Sequence, residues 1–163
     1  MKLLVRAAAL IATSILCGWA MVHWVYTPLA CNGAVTDLTR RTTLITDSPG
    51  DYHRIARARR NIEALREVRI LCPTDVRVPM LIAANEEALG RFDDAVRSYR
   101  DALSTGSRPE IHAALGHALI QLGRTEEAVE QYVIAARFDP TMLELPPSEE
   151  VRRLAGERLR AGR

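Results

Sequence analysis

"LGRTEEAVEQY", residues 122–132, repeats "LGRFDDAVRSY", residues 89–99, at a distance of 33 residues. Leu, Gly, Arg, Ala, Val and Tyr return in register, and the residues between them change freely. A period of this size marks stacked helix hairpins, each burying its apolar face against the next. Gly90 and Gly123 suit the left-handed residue that closes a helix. Ala95 and Ala128 then fall where paired helices cross, and a larger side chain there would force them apart. Tyr99 and Tyr132 cover the next layer out, and Ala102 and Ala135 admit a neighbouring helix. The repeated letters are those that close contact fixes.

Working outward, residues 76–88 and 92–104 read as one helix pair, and residues 109–121 and 125–138 as a second. Ser107 and Glu110 have the spacing of a capping box, with Pro109 in the first turn. The pattern resembles the tetratricopeptide repeat (TPR), a helix-turn-helix unit of about 34 residues. The second copy, 109–141, carries Leu115, Gly116, Leu119, Leu122, Gly123, Ala128, Tyr132, Ala135 and the closing Pro140. The first copy, 76–108, carries Ile82, Ala83, Leu89, Gly90, Phe92, Ala95, Tyr99 and Ala102. It departs from the family pattern at Pro79, Glu86 and Ser107. "NIEALREVRILCPTD", residues 61–75, resembles the second half of a degraded third repeat, with Leu65 in the place of the tyrosine and Asn61 in that of a small residue. The resemblance implies an all-α fold, a short solenoid of antiparallel hairpins.

Two such units leave two faces uncovered, so caps are expected. Residues 49–71 place Ile55, Ala58, Ile62, Leu65, Val68 and Leu71 on one helical stripe, with six arginines on the other face. Residues 148–161 place Val151, Leu154, Ala155 and Leu159 on another, with Glu149 and Glu150 at the N-terminal end and arginines toward the C-terminal end, as the helix dipole favours. "TMLELPP" between the last repeat and this cap reads as an ordered connector.

The N-terminal part reads as a membrane address. Residues 7–26 contain no Asp, Glu, Lys or Arg, and twenty helical residues span about 30 Å, a bilayer's hydrocarbon thickness. Lys2 and Arg6 precede the run, and Trp19, Trp24 and Tyr26 cluster at its far end. This orientation puts residues 1–6 in the cytoplasm and everything after residue 26 on the exported side. The expectation is a single-pass bacterial inner-membrane protein with a periplasmic repeat domain. Cleavage after Ala20, which would release a secreted factor, and lipidation at Cys31 are the alternatives. Residues 27–48, rich in Thr and lacking a clear helical period, read as a linker. On the exported side Cys31 and Cys72 permit one intramolecular disulfide, the alternative being two free thiols.

Composition excludes several chemistries. Lys2 is the sole lysine and 21 of the 22 basic residues are Arg, so neither a Schiff-base lysine nor a P-loop lysine is available in the repeats. Residues 27–163 carry no net formal charge, which argues against nucleic acid as a partner. His112 and His117 are five apart and do not share a face as a metal pair would. The carboxylate pairs Asp93-Asp94, Glu126-Glu127 and Glu86-Glu87 read as helix starts or exposed faces. The chain is therefore expected to be no enzyme, with no cofactor, no metal and no small-molecule substrate. Only His23 suggests otherwise: beside Trp19 and Trp24 it could hold a haem or chlorin in an electron-transfer or photosynthetic membrane complex.

The TPR resemblance implies a concave groove lined by the first helix of each repeat. That assigns Arg77, Met80, Ala84 and Glu87 from the first copy, and Glu110, Ala113, His117 and Ile120 from the second. Family members that grip a C-terminal carboxylate use Lys and Asn in this groove, and neither stands at these positions. The expected function is a membrane-anchored scaffold or accessory subunit, joined to other proteins of an envelope complex and to lipid through residues 7–26.

Overall fold

Small residues on crossing faces let helices approach closely, and here they set the whole architecture. The computed structural model describes residues 13–22, 26–46 and 53–162, and within them the chain is helical without strands. The helices are α1 (Thr27–Thr46), α2 (Arg54–Leu71), α3 (Arg77–Ala88), α4 (Phe92–Thr105), α5 (Pro109–Gln121), α6 (Thr125–Phe138) and α7 (Glu149–Ala161), with a 3-10 turn at Pro140–Glu144. Each helix from α2 onward packs on the one that follows it, and the 3-10 turn packs on α6.

The hairpins α3–α4 and α5–α6 close in the same way. Gly90 and Gly123 have φ of 71° and 72°, a region that L side chains avoid. Beyond them the Arg91 amide donates to the Glu86 carbonyl and the Arg124 amide to that of Leu119, both at 2.9 Å, as in a Schellman turn. Ala95, Ala102, Ala128 and Ala135 have no accessible surface. Gly116 admits Tyr132 against the helix: a Cβ there would lie 2.8 Å from the tyrosine ring, which is itself buried. Gly116→Ala is therefore expected to lower stability by about 1–3 kcal/mol in urea denaturation, despite alanine's better helix propensity. Gly156→Ala on α7, where a Cβ meets nothing within 4 Å, is expected to be neutral or stabilising.

Ser107 does not cap α5 as its spacing with Glu110 suggests. Arg108 takes the cap position without a side-chain bond. The Ser107 hydroxyl instead pairs with Nε2 of buried His112 at 2.9 Å, and Nδ1 of that ring meets Gln131 Oε1 at 2.8 Å. His112 thus joins α5 to α6 as a core side chain.

The linker expected over 27–48 is a helix through Thr46. Pro28 sits in its first turn, where the missing N–H costs nothing. The threonines return their hydroxyls to carbonyls four residues back, as Thr36 does to Asn32 and Thr39 to Val35, each at 2.7 Å. Val35, Leu38, Thr42 and Ile45 form its buried stripe. A disulfide joins Cys31, near its start, to Cys72 after the end of α2, with the Cα atoms 5.9 Å apart. Further along α1, Thr42 meets Asn61 in the middle of α2, so the two helices are antiparallel. Asn32 and Thr42 of α1 bond Arg77 and Asn85 of α3 in the same order, so those two are parallel. By these directions α1 stands as the first helix of a preceding hairpin, with α2 as its second. At the junction the Thr42 hydroxyl donates to the Leu38 carbonyl at 2.9 Å and accepts from the Asn85 amide at 2.9 Å and that of Asn61 at 3.4 Å.

The inner-membrane localisation is overturned, and the membrane helix expected over 7–26, on which it was built, finds no support. Among the described residues no helix is long and apolar enough to cross a membrane. Residues 13–21 are helical, about 14 Å of rise. From Thr27 onward the helix is polar and packs on α2 and α3. Residues 7–12 and 23–25 lie outside the described residues, and His23 with them.

At the other end, Val151 and Ala155 of α7 are buried against α6. An Arg158–Glu126 ion pair ties the two helices together. The connector is the 3-10 turn, begun by the Asp139 carboxylate accepting the Thr141 amide at 3.0 Å.

Candidate functional site

The eight residues assigned to the groove lie on α3 and α5, four on each. Arg77 is tied down: its guanidinium bonds the Asp75 carboxylate, Nη2 to Oδ2 at 2.7 Å, and reaches Asn32 of α1 at 3.1 Å. Met80 and Ile120 are half-buried, packing against the main core, and Ala84 is half-buried as well. Ala113 is buried, while Glu110 is exposed at the edge. A recess of about 300 Å³ joins Glu110, Ala113, Ala114 and His117 of α5 to Tyr132, Met142 and Leu145.

Glu87 organises the middle of this face. Its Oε2 lies 3.4 Å from His117 Nδ1, linking the first helices of the two repeats. The Glu87 carboxylate holds the His117 imidazole above its ordinary pKa, against the opposing effect of burial. A raised histidine contributes stability that is full below its unfolded value near 6.5 and is lost as pH rises through the folded one. This cross-repeat link is strongest in mild acid, and its exposure keeps it weak. Burial pushes the Tyr132 hydroxyl up to about 12, and the charge of Glu87 adds to the effect. Tyr99 is pushed up for the same two reasons. Glu87 therefore faces two tyrosines kept as neutral phenols and one histidine drawn toward its cation.

Glu86 corrects the expectation that the Glu86-Glu87 pair lies on an exposed face. It is 4% exposed and accepts a 2.7 Å bond from the Ser98 hydroxyl across the hairpin. Burial raises its pKa, with the Ser98 bond opposing. A carboxylate raised in the fold contributes stability that is present below the unfolded value near 4.5 and lost as pH rises through the folded one. Glu86→Gln, which keeps a polar group toward Ser98 without the charge, is expected to raise stability at pH 7 by about 1 kcal/mol. Thermal unfolding between pH 4 and 8 is the check: the variant should also lose the part of the acid stabilisation that Glu86 supplies.

Sequence reasoning missed three contributors to this region. Asn32 belongs to a helix read as a linker, and Met142 and Leu145 belong to the connector. None carries a repeat letter.

No protein-family model and no curated protein matches the chain. Among solved structures it is similar to TTC0263, a thermophilic TPR protein of Thermus thermophilus, at 23% identity and a TM-score of 0.63, covering 86% of this chain and 71% of that one. It is similar to a type III secretion complex from Aeromonas hydrophila at 22% identity and a TM-score of 0.51, covering 77% and 80%. It is also similar to the type III secretion translocator chaperone SycD of Yersinia enterocolitica at 19% identity and a TM-score of 0.50, covering 76% and 88%. At such identities the likeness speaks for the fold alone, and that fold is TPR-like and all-helical.

Proposed function

We propose that this chain is a non-enzymatic protein–protein interaction module that receives a segment of a partner protein on the α3–α5 face. The observation that carries this reading is the composition of that face. Met80, Ala84, Ala113 and Ile120 give it an apolar floor, and Glu87, Glu110 and His117 supply polar groups beside it. The recess next to Glu110 has room for a large apolar side chain, which suits an anchor residue of a bound helix or extended strand. The resemblance to SycD, described as a translocator chaperone, supports a protein as the occupant. Glu87 pairs with His117 and lies beside the two tyrosines, an arrangement that fixes polar groups on this surface.

Peptides selected from a displayed random library against the folded chain test this. They are expected to lose at least about tenfold in affinity on Ala84→Arg, an obstruction in the middle of the face, and to be unaffected by Arg97→Ala elsewhere. Selected peptides that tolerate Ala84→Arg, in a protein with an unchanged melting temperature, would remove the groove from the function.

A further inference from the structure

A second cleft lies outside the α3–α5 face, between α2 and the turn from α3 to α4, with a volume of about 490 Å³. Ile55, Arg59, Ile62 and Arg66 occupy one stripe of α2, spaced by four, three and four residues. Across from them stand Leu89 and Arg91. The walls are thus apolar and the polar groups are guanidiniums, with Glu63 as the sole carboxylate lining the cleft.

The arginines differ in how they are held. Arg91 is anchored by Asp94, Nε to Oδ2 at 2.6 Å. Arg69, one turn beyond Arg66, is paired with Asp101 at 2.7 Å. Arg59 and Arg66 form no ion pair among the described residues, and both are exposed. Their Cα positions are separated by about 10 Å along the helix axis. Two guanidiniums without an ion pair at that separation, with exposed Ile55 one turn before Arg59 and half-buried Leu89 opposite, present cationic and apolar contacts, and buried Ile62 forms the floor between them.

The geometry points to this cleft as a docking site for an acidic, leucine-containing peptide segment, distinct from the occupant of the α3–α5 face. Carboxylates of the segment take Arg59 and Arg66, and arginine favours such pairs because its fork can engage both oxygens. An apolar side chain of the segment packs on exposed Ile55 and half-buried Leu89. Nucleic acid fits less well. The cleft offers two arginines free of ion pairs beside apolar side chains, and the chain's net charge of +2 accumulates little counterion release.

The test uses the full chain and a fluorescein-labelled peptide Glu-Leu-Glu-Glu-Leu-Glu, read by fluorescence anisotropy. Binding is expected with a Kd in the range of about 10–100 µM and to weaken with salt. Arg59→Ala with Arg66→Ala should raise that Kd at least about tenfold. Ala84→Arg on the α3–α5 face should leave it within about twofold, which separates this site from the function proposed above. Because both arginines are exposed, the double variant should keep the parent's circular dichroism. The charge-reversed pair Arg59→Glu with Arg66→Glu should bind Lys-Leu-Lys-Lys-Leu-Lys instead. Equal affinity for parent and double variant, or no binding at about 1 mM peptide, a concentration that detects even weak association, overturns the proposal. So does equally tight, arginine-dependent binding of single-stranded oligonucleotides or of phosphatidylserine vesicles, since the cleft would then select charge alone.

Discussion

Ala128→Phe is expected to cost at least about 3 kcal/mol, and Ala95→Phe a similar amount, a large share of the stability of an ordinary domain. Both alanines have no accessible surface and lie at the crossing of paired helices. A phenyl ring at either position has no cavity to enter, so the crossing must open and the layers above it lose contact. Urea denaturation followed by circular dichroism measures the loss, with Ala84→Phe as the control. Ala84 is half-buried on the α3–α5 face, where a ring can turn outward, and its cost should stay below about 1 kcal/mol. If Phe at 128 proved as harmless as Phe at 84, close contact would not be what holds the hairpins together.

The second large effect concerns the disulfide. Replacing Cys31 and Cys72 together by Ser is expected to cost about 2–4 kcal/mol, because the bond closes a loop between residues separated by 41 positions and restricts the unfolded chain. The folded state should survive. Val35 and Leu38 of α1 remain packed with Ile62, Leu65, Leu81 and Ile82, a cluster that does not depend on the bond. The measurement is the denaturation midpoint with and without a thiol reductant. The parent should shift down and the double variant should not respond. A parent indifferent to reductant would place the energy of the α1 junction wholly in its apolar contacts.

The repeats were legible because their letters report contact directly. Alanine where helices cross, glycine where the chain needs positive φ, and tyrosine over the next layer each have one geometric reason to recur. Of the first hairpin only the second half was legible, because helix α1 satisfies the same architecture with other residues. Thr42 and Asn61 stand where small or apolar residues are expected, and hydrogen bonds from the Asn61 and Asn85 amides to the Thr42 hydroxyl replace the usual close packing. Pro28, Gly33 and the run of threonines then read as a loop in the absence of any tertiary contact. Glu86 misled for a related reason. A lone carboxylate in an amphipathic pattern reads as solvent-facing, and only the position of Ser98 twelve residues on explains its burial. On the α3–α5 face the residue types were foreseeable from the resemblance, but their pairing was not. That Arg77 is held by Asp75 and that His117 meets Glu87 are facts of side-chain reach, which spacing along one helix does not encode.

The meeting of Thr42, Asn61 and Asn85 has a consequence for how α1 can sit. Apolar ridges alone would tolerate sliding by a helical turn, since one aliphatic contact substitutes for another. An amide withdrawn from its hydroxyl partner inside this buried junction would be stranded at a cost of about 1–3 kcal/mol, so each slipped alignment is penalised. The three polar side chains therefore act as an axial detent, selecting one longitudinal setting of the first helix from several that greasy surfaces would accept almost equally.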